Sequence, residues 1–310
     1  PHFCNSRPSF VYLKAKRKKP DKAMCKYPIS KSWTAGISLI LACMLVLLPA
    51  CESEGPKPVP PGELSLRDRA LSDGVIRKLT NCSYSAWYLP VDSALAAAQI
   101  PKINEDLTVR TGLALPGVLP GQTAFVLALT RCASSSTDPF PQSIFHVLIP
   151  IKTPVFPETR IDPIDIDFYE IARYSGYKKE LDNLNILEFP PIEATVFSTG
   201  TITGNQATFN GDIVMGTATE FRLVGSNHAA PIPLTTHYRY WHVTANEVLY
   251  SDYAMTIRQS HQGTGDSVEI RPASLLGTIL GVQPRQVLVA GSEYAQAIDT
   301  IAENVRLIKE

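Results

Sequence analysis

Excess charge of either sign is absent from this chain: 29 Lys and Arg balance 29 Asp and Glu over 310 residues. The balance conceals an asymmetry. Residues 1–50 carry nine basic residues and a single acid, Asp21, whereas residues 52–310 carry 20 basic and 28 acidic residues, a net charge of −8. A mildly acidic domain has no electrostatic footprint for nucleic acid and is not drawn by charge to anionic lipid. Also missing are a Gly-x-Ser-x-Gly elbow, a phosphate loop and a dinucleotide glycine pattern. Of six cysteines only Cys82 and Cys132 lie beyond residue 51, and neither has a second Cys or His at ligand spacing. No metal site and no cofactor is therefore expected.

Long apolar runs are scarce as well. The one that stands out, Ala35 to Leu48, has about 14 residues, short of the roughly 20 needed to cross a bilayer. It follows Met24, Lys26 and Lys31 and ends in Leu48-Pro49-Ala50-Cys51. A charged start, a short apolar stretch and a small residue before a cysteine make a tripartite export signal. Met24 is the expected start. Residues 1–23, with the basic run Lys14 to Lys19, then read as upstream sequence or a long n-region rather than a nucleic-acid patch. The segment resembles a bacterial lipoprotein signal peptide with its lipobox. That resemblance implies cleavage before Cys51, diacylglycerol on its thiol and acylation (palmitate or similar) of the new amine. Ile40-Leu41-Ala42-Cys43 is a competing match, but it leaves Met44 to Leu48 exposed after cleavage. More than one acyl chain gives stable anchoring. Glu52, rather than Asp, favours the outer membrane facing the periplasm by the sorting rule of enteric lipoproteins. Residues 52–63 hold four prolines, two glycines and no aromatic residue, and read as a semi-extended tether.

Residues 64–310 then read as a single β-rich domain. Ser83 to Leu89, Ala124 to Cys132, Ile144 to Lys152, Glu193 to Thr203 and His237 to Val243 have strand character, as do Val248 to Tyr253, Ala254 to His261 and Ser267 to Arg271. Gly204-Asn205 and Asn210-Gly211 read as hairpin turns, and Gly263 to Gly265 as a third tight turn. Helices are expected at Ser65 to Leu79, Asp92 to Gln99, Asp165 to Leu184 and Ser274 to Leu280. The class is mainly β with a few short helices, in a curved or closed barrel, since so many strands need their edges managed. In an oxidising compartment Cys82 and Cys132 are expected to pair, closing a loop worth roughly 4 kcal/mol; two separate buried thiols are the alternative.

Candidate cavity residues come from a few polar positions in these strands. In His237-Tyr-Arg-Tyr-Trp-His242, alternation puts His237, Arg239 and Trp241 on one face and Tyr238, Tyr240 and His242 on the other. The first face offers a fixed cation and an aromatic wall for a pocket; an ordinary aromatic sheet face is the competing account. His146 lies in an apolar strand, as a hydrogen-bonded core residue or a pocket group able to titrate near neutrality. Glu220 and Arg222 have the spacing to share a strand face, as a surface ion pair or as charges inside a barrel. Asp162, Asp165 and Asp167 lack the glycine-containing loop of a calcium site and suit a helix N-terminus better. Gly265-Asp266-Ser267 matches the Gly-Asp-Ser of one hydrolase family, but it falls late in the chain and in an expected turn, which excludes that reading.

The order of segments carries a second resemblance. LPVD runs through an alanine-rich stretch to Ile100-Pro101. AFVLALTRC, SIFHVLIPIKTP, DFYEIARYSGYKKELDNLNI, HYRYWHV and PASLLGTILG follow in turn. Over roughly residues 80–285 this resembles the acetoacetate decarboxylase-like superfamily, which implies a cone-like β-barrel around a central cavity. The decarboxylase chemistry needs a lysine that forms a Schiff base, its pKa lowered by burial and a cationic neighbour. No lysine lies between residues 180 and 308, and Lys178 and Lys179 lack the matching Gly-Pro-Lys context. His146 stands where the pattern implies a strand glutamate. The resemblance therefore implies a cavity without that catalyst, and acetoacetate decarboxylase activity is not expected. The leading expectation is a lipid-anchored envelope protein binding a small or apolar ligand. A non-Schiff-base enzyme using His146 or Glu220, or a structural envelope lipoprotein with a filled interior, are the alternatives.

Overall fold

The computed structural model of this chain describes residues 68, 75–102, 107–136, 141–154, 166–177, 191–227, 232–243 and 247–309. The signal segment, Cys51 and the tether lie outside the described residues, as do Asp162, Asp165, Lys178 and Lys179. The chain divides into Pro1–Pro58 and Val59–Glu310, and only the second unit concerns us here. Among the described residues no helix is long and apolar enough to cross a membrane.

Eleven strands in chain order form one large curled sheet. They are β1 (Val75–Val91), β2 (Thr123–Ser135), β3 (Gln142–Ile151), β4 (Ile166–Ser175), β5 (Ile192–Glu193), β6 (Thr195–Thr203), β7 (Gln206–Met215), β8 (Ala218–Asn227), β9 (Ile232–Val243), β10 (Glu247–Ile270) and β11 (Val287–Lys309). The order is β11-β1-β2-β3-β4-β9-β10-β8-β7-β6; β5 adds to β4, and β10 also pairs with β11. All pairings are antiparallel except β4 with β5 and with β9.

Both faces of the central strands are buried, so their sequences read as unbroken apolar runs. In β2, Ala124, Val126 and Ala128 turn to the concave face, and Phe125, Leu127 and Leu129 to the convex one. Tyr84 of β1 reaches Tyr238 of β9 across the concave side, ring centroids 6.3 Å apart, although the two strands are not sheet neighbours. On the convex side β7 and β8 fold back over β1 to β3. Phe209 packs on Trp87 at 5.2 Å and Phe221 on Phe145 at 4.9 Å. Such offset aromatic pairs add to the area each ring buries.

Two helices match the sequence. α1 (Ser93–Ala97) is capped by Asp92, whose carboxylate accepts from the Ala94 N–H at 2.8 Å. α2 (Leu275–Leu280) is capped by Ser274, which accepts from the Gly277 N–H, and ends on Gly281 at φ 62. Both follow ordinary capping physics.

Four expectations need correction. Ile166–Ser175 is a strand, not a helix. The spacing of Phe168, Ile171 and Ala172 imitated a helical stripe because β4 is bulged at Ile171: Val147 pairs with Ala172 but Leu148 with Glu170. Val75 to Leu79, expected as the end of a helix, belong to β1. Asn210-Gly211 lies inside β7, and the turn is at Gly216, φ 59. Gly211 instead brings β7 against β2, since a Cβ there would sit 2.9 Å from Leu129. Gly263 to Gly265 is no turn either; β10 runs through it, and Gly265, at φ 86, is a bulge opposite Gly291 and Ala290. The Gly204-Asn205 hairpin is where the sequence puts it.

Candidate functional site

The concave face of the curl holds charge where the alternating pattern would ordinarily place apolar side chains. The bulge at Ile171 is the cause. It resets the alternation so that Glu170 and Arg173, three residues apart, both point inward. Arg173 grips Glu170 with two hydrogen bonds, Nε to Oε1 at 3.1 Å and Nη2 to Oε2 at 3.2 Å. Its Nη1 donates to Glu303 Oε1 of β11 at 3.4 Å. Arg77 of β1 donates from Nε to the other oxygen of Glu303 at 2.8 Å, and from Nη2 as well. The Tyr253 hydroxyl accepts from Arg173 Nη2 at 3.2 Å and donates to Glu303 Oε1 at 2.5 Å. His146 completes the set, its Nδ1 2.5 Å from Glu170 Oε1, with Tyr240 and Tyr253 edge-on to its ring.

Two carboxylates thus face two guanidiniums, and Glu170, Arg173, His146 and Glu303 are each about 1% exposed. Burial alone would raise both carboxyls. For Glu170 the nearby charges, Arg173 before His146, outweigh it and hold the group below its ordinary value. For Glu303, Arg77 and then Arg173 outweigh burial and bring the group down to about 2. Burial is also the first cause that pushes Tyr84, Tyr88, Tyr240 and Tyr253 well above the usual phenol range. A second polar set lies further round the same face, where Tyr88 and Ser260 donate to Glu293 at 2.9 and 2.6 Å.

A cavity of about 10 Å³ beside Glu170, Tyr240 and His242 has space for about one water. On the convex side lies a groove of about 540 Å³ between β6 and the outer face of β1, β2 and β11. Cys82 and Cys132, opposed on β1 and β2, are joined in a disulfide that backs this groove.

The sequence candidates scatter over this architecture. His146 is inside. The His237 to His242 strand alternates as read, but the face assigned to a pocket is the convex one. His237 is exposed there. Arg239 donates from Nε to Asp252 at 2.7 Å, lies 3.6 Å from Asp167 through Nη1, and sits over Trp241 and Tyr250. Trp241 is fully buried, donating to Asp167 at 2.6 Å. The inward residues are Tyr238, Tyr240 and the half-buried His242, whose imidazole burial holds below its ordinary value. Glu220 and Arg222 do not share a face. Glu220 is the bulge residue of β8, since Ile213 pairs with Phe221 and Val214 with Thr219. Glu220 is buried and forms an ion pair with Arg271 at 2.8 Å, while Arg222 is exposed and pairs with Asp212 at 3.2 Å. Sequence reasoning missed Arg77, Glu170, Arg173, Tyr253 and Glu303. A charged residue amid apolar neighbours was the available signal, and the helical reading of β4 hid it for Glu170 and Arg173.

Among the described residues no group of three or more His, Cys, Asp or Glu side chains is arranged to hold a metal. No protein-family model matches the chain. No curated protein matches it either. Solved structures do. The enduracididine biosynthesis enzyme MppR, with HEPES buffer bound, is 14% identical with a TM-score of 0.52, covering 84% of this chain and 98% of its own. Acetoacetate decarboxylase from Legionella pneumophila subsp. pneumophila str. Philadelphia 1 is 11% identical with a TM-score of 0.51, covering 81% of this chain and 93% of its own. The fold is acetoacetate decarboxylase-like.

Proposed function

We propose that this chain carries an acetoacetate decarboxylase-like scaffold as a rigid, non-decarboxylating domain, held to the bacterial cell envelope by acyl chains on Cys51. One observation carries the first half: the concave face, where the fold could house a reaction chamber, is filled by a charge-balanced network with each carboxylate committed to arginine. Replacing such a network with substrate would require unpairing three buried charges and the partly buried Arg77, which costs several kcal/mol per unpaired ion. The three lysines whose side chains are described, Lys78, Lys102 and Lys152, are all exposed. A Schiff-base lysine is activated by an apolar pocket or a cationic neighbour. A ligand held inside the curl, the leading expectation from the sequence, would have to displace the buried ion pairs that occupy the concave face. The export signal between Met24 and Cys51 supports the second half.

The test uses the full chain, expressed in a bacterium and purified from its membranes. With acetoacetate or pyruvate and borohydride, the account expects an unchanged protein mass and no release of carbon dioxide. A stable adduct on one lysine would refute the non-decarboxylating reading. Separately, Cys51→Ser is expected to move the protein out of the membrane fraction and to lose the acyl mass. Acid–base catalysis is the second reading, favoured by the short His146–Glu170 contact next to a water-sized cavity. It requires a hydrolytic or dehydrating turnover that His146→Gln removes.

A further inference from the structure

The groove on the convex side has a volume of about 540 Å³ and a well-defined lining. Val196, Ser198, Gly200 and Ile202 alternate toward the domain, while their neighbours in β6 face solvent. At Gly200 the strand lies directly on the Tyr294 ring, where a Cβ would come within 2.2 Å of the phenol oxygen. Tyr294 is in turn stacked on Phe209, centroids 4.9 Å apart and planes 10° apart. This contact pins β6 and makes an aromatic floor. Away from Gly200 the strand stands clear of β2, and Arg131 bridges the gap by donating from Nη1 to the Ser198 carbonyl at 2.8 Å. That bond tethers the exposed guanidinium at the rim and leaves donors on Nε and Nη2 without a partner among the described residues.

We propose that this groove binds a small carboxylate with an apolar body. Its volume of about 540 Å³ is within the range of roughly 300–1,000 Å³ typical of small-molecule sites. Arg131 is the one ionised side chain among the described lining residues, and no acid lies with it. A guanidinium held in place by one bond presents its remaining donors to a carboxylate with little further ordering. Ser83, Asn81 and Gln296 supply neutral polar groups, and Tyr294, Ile202 and Pro141 line the apolar part. A cation at the rim, tied to the Ser198 carbonyl, and an aromatic floor match a molecule with a carboxylate head and an apolar body.

The experiment is calorimetric titration of the full chain in nanodiscs with 4-phenylbutanoate and with its neutral analogue 4-phenylbutanamide. The acid is expected to bind at least about tenfold more tightly than the amide, the worth of one charge-assisted contact. Arg131→Gln removes that preference and Arg131→Lys restores part of it. Ser198→Trp, which fills the groove from β6, abolishes binding of both, while Arg222→Gln on the exposed hairpin changes neither. Thermal melts of each variant show that the domain still folds. Equal affinity for acid and amide, binding that survives Ser198→Trp, or no binding of the acid overturns the proposal. None of these outcomes bears on whether the concave face is catalytic.

Discussion

The ion pairs Arg173–Glu170 and Arg222–Asp212 have nearly the same separation, 3.1 and 3.2 Å, in very different surroundings. The first is 1% exposed on both sides; the second is 56% and 42% exposed. In water the attraction between two such charges is about 1 kcal/mol at 4 Å, and holding long side chains in place offsets most of it. In the interior, removing one partner leaves the other charged and desolvated. The network is therefore a lock on the concave face: worth little over an apolar core of the same shape, but costly to break. Distance alone distinguishes none of this, and burial does.

The largest expected effect comes from breaking the lock. Glu303→Ala removes the buried carboxylate shared by Arg77 and Arg173 and should destabilise the protein by about 3–5 kcal/mol in urea unfolding. The matched change on the convex side, Arg222→Ala, should stay within about 0.5 kcal/mol. Equal losses from the two would end the distinction between the faces. Next is the Cys82–Cys132 bridge, which spans 50 residues and joins β1 to β2 behind the groove. Reducing it should cost roughly 4 kcal/mol at most in the chain-entropy model, read as a fall in melting temperature with dithiothreitol.

Acid sharpens the comparison further. Glu303 has its folded-state pKa lowered from 4.5 to about 2. Its contribution is then fully present above the unfolded value and is lost as pH falls through the folded one. Stability should drop by roughly 3 kcal/mol between about pH 5 and pH 2 on its account. That part of the acid sensitivity should vanish in Glu303→Gln and persist in Arg222→Ala. The smallest effect is local: Ser274→Ala removes the cap of α2 and should cost about 1 kcal/mol with no change in acid sensitivity.

Local rules carried much of the fold and little of the site. β2 and β3 are legible because apolar β-branched and aromatic residues fill them. Asp92 and Ser274 are legible as caps because short oxygens accept from the next turn. The acetoacetate decarboxylase-like curl was legible as an order of segments. β11 was not assigned at all, since its alanines, acids and Asn304 carry no strand signal by themselves; long pairings to β1 and β10 make it a strand. For Arg173 and Glu220 the site was hidden by bulges. A single extra residue at Ile171 turns Arg173 inward, and another at Glu220 separates it from Arg222. Alternation counted along the sequence cannot register an insertion that only the partner strand defines.

Thiol labelling under native conditions tests the central claim most directly. Ala128 is fully buried on the concave face, paired with His146, and Ser198 lines the convex groove. With N-ethylmaleimide, Ser198→Cys should react within about tenfold of the rate in denaturant. Ala128→Cys should react at least about a thousandfold more slowly, at a rate set by opening of the core. A concave face that is a filled, locked core predicts that gap. Rapid modification of Ala128→Cys without denaturant would show an open chamber and contradict the account.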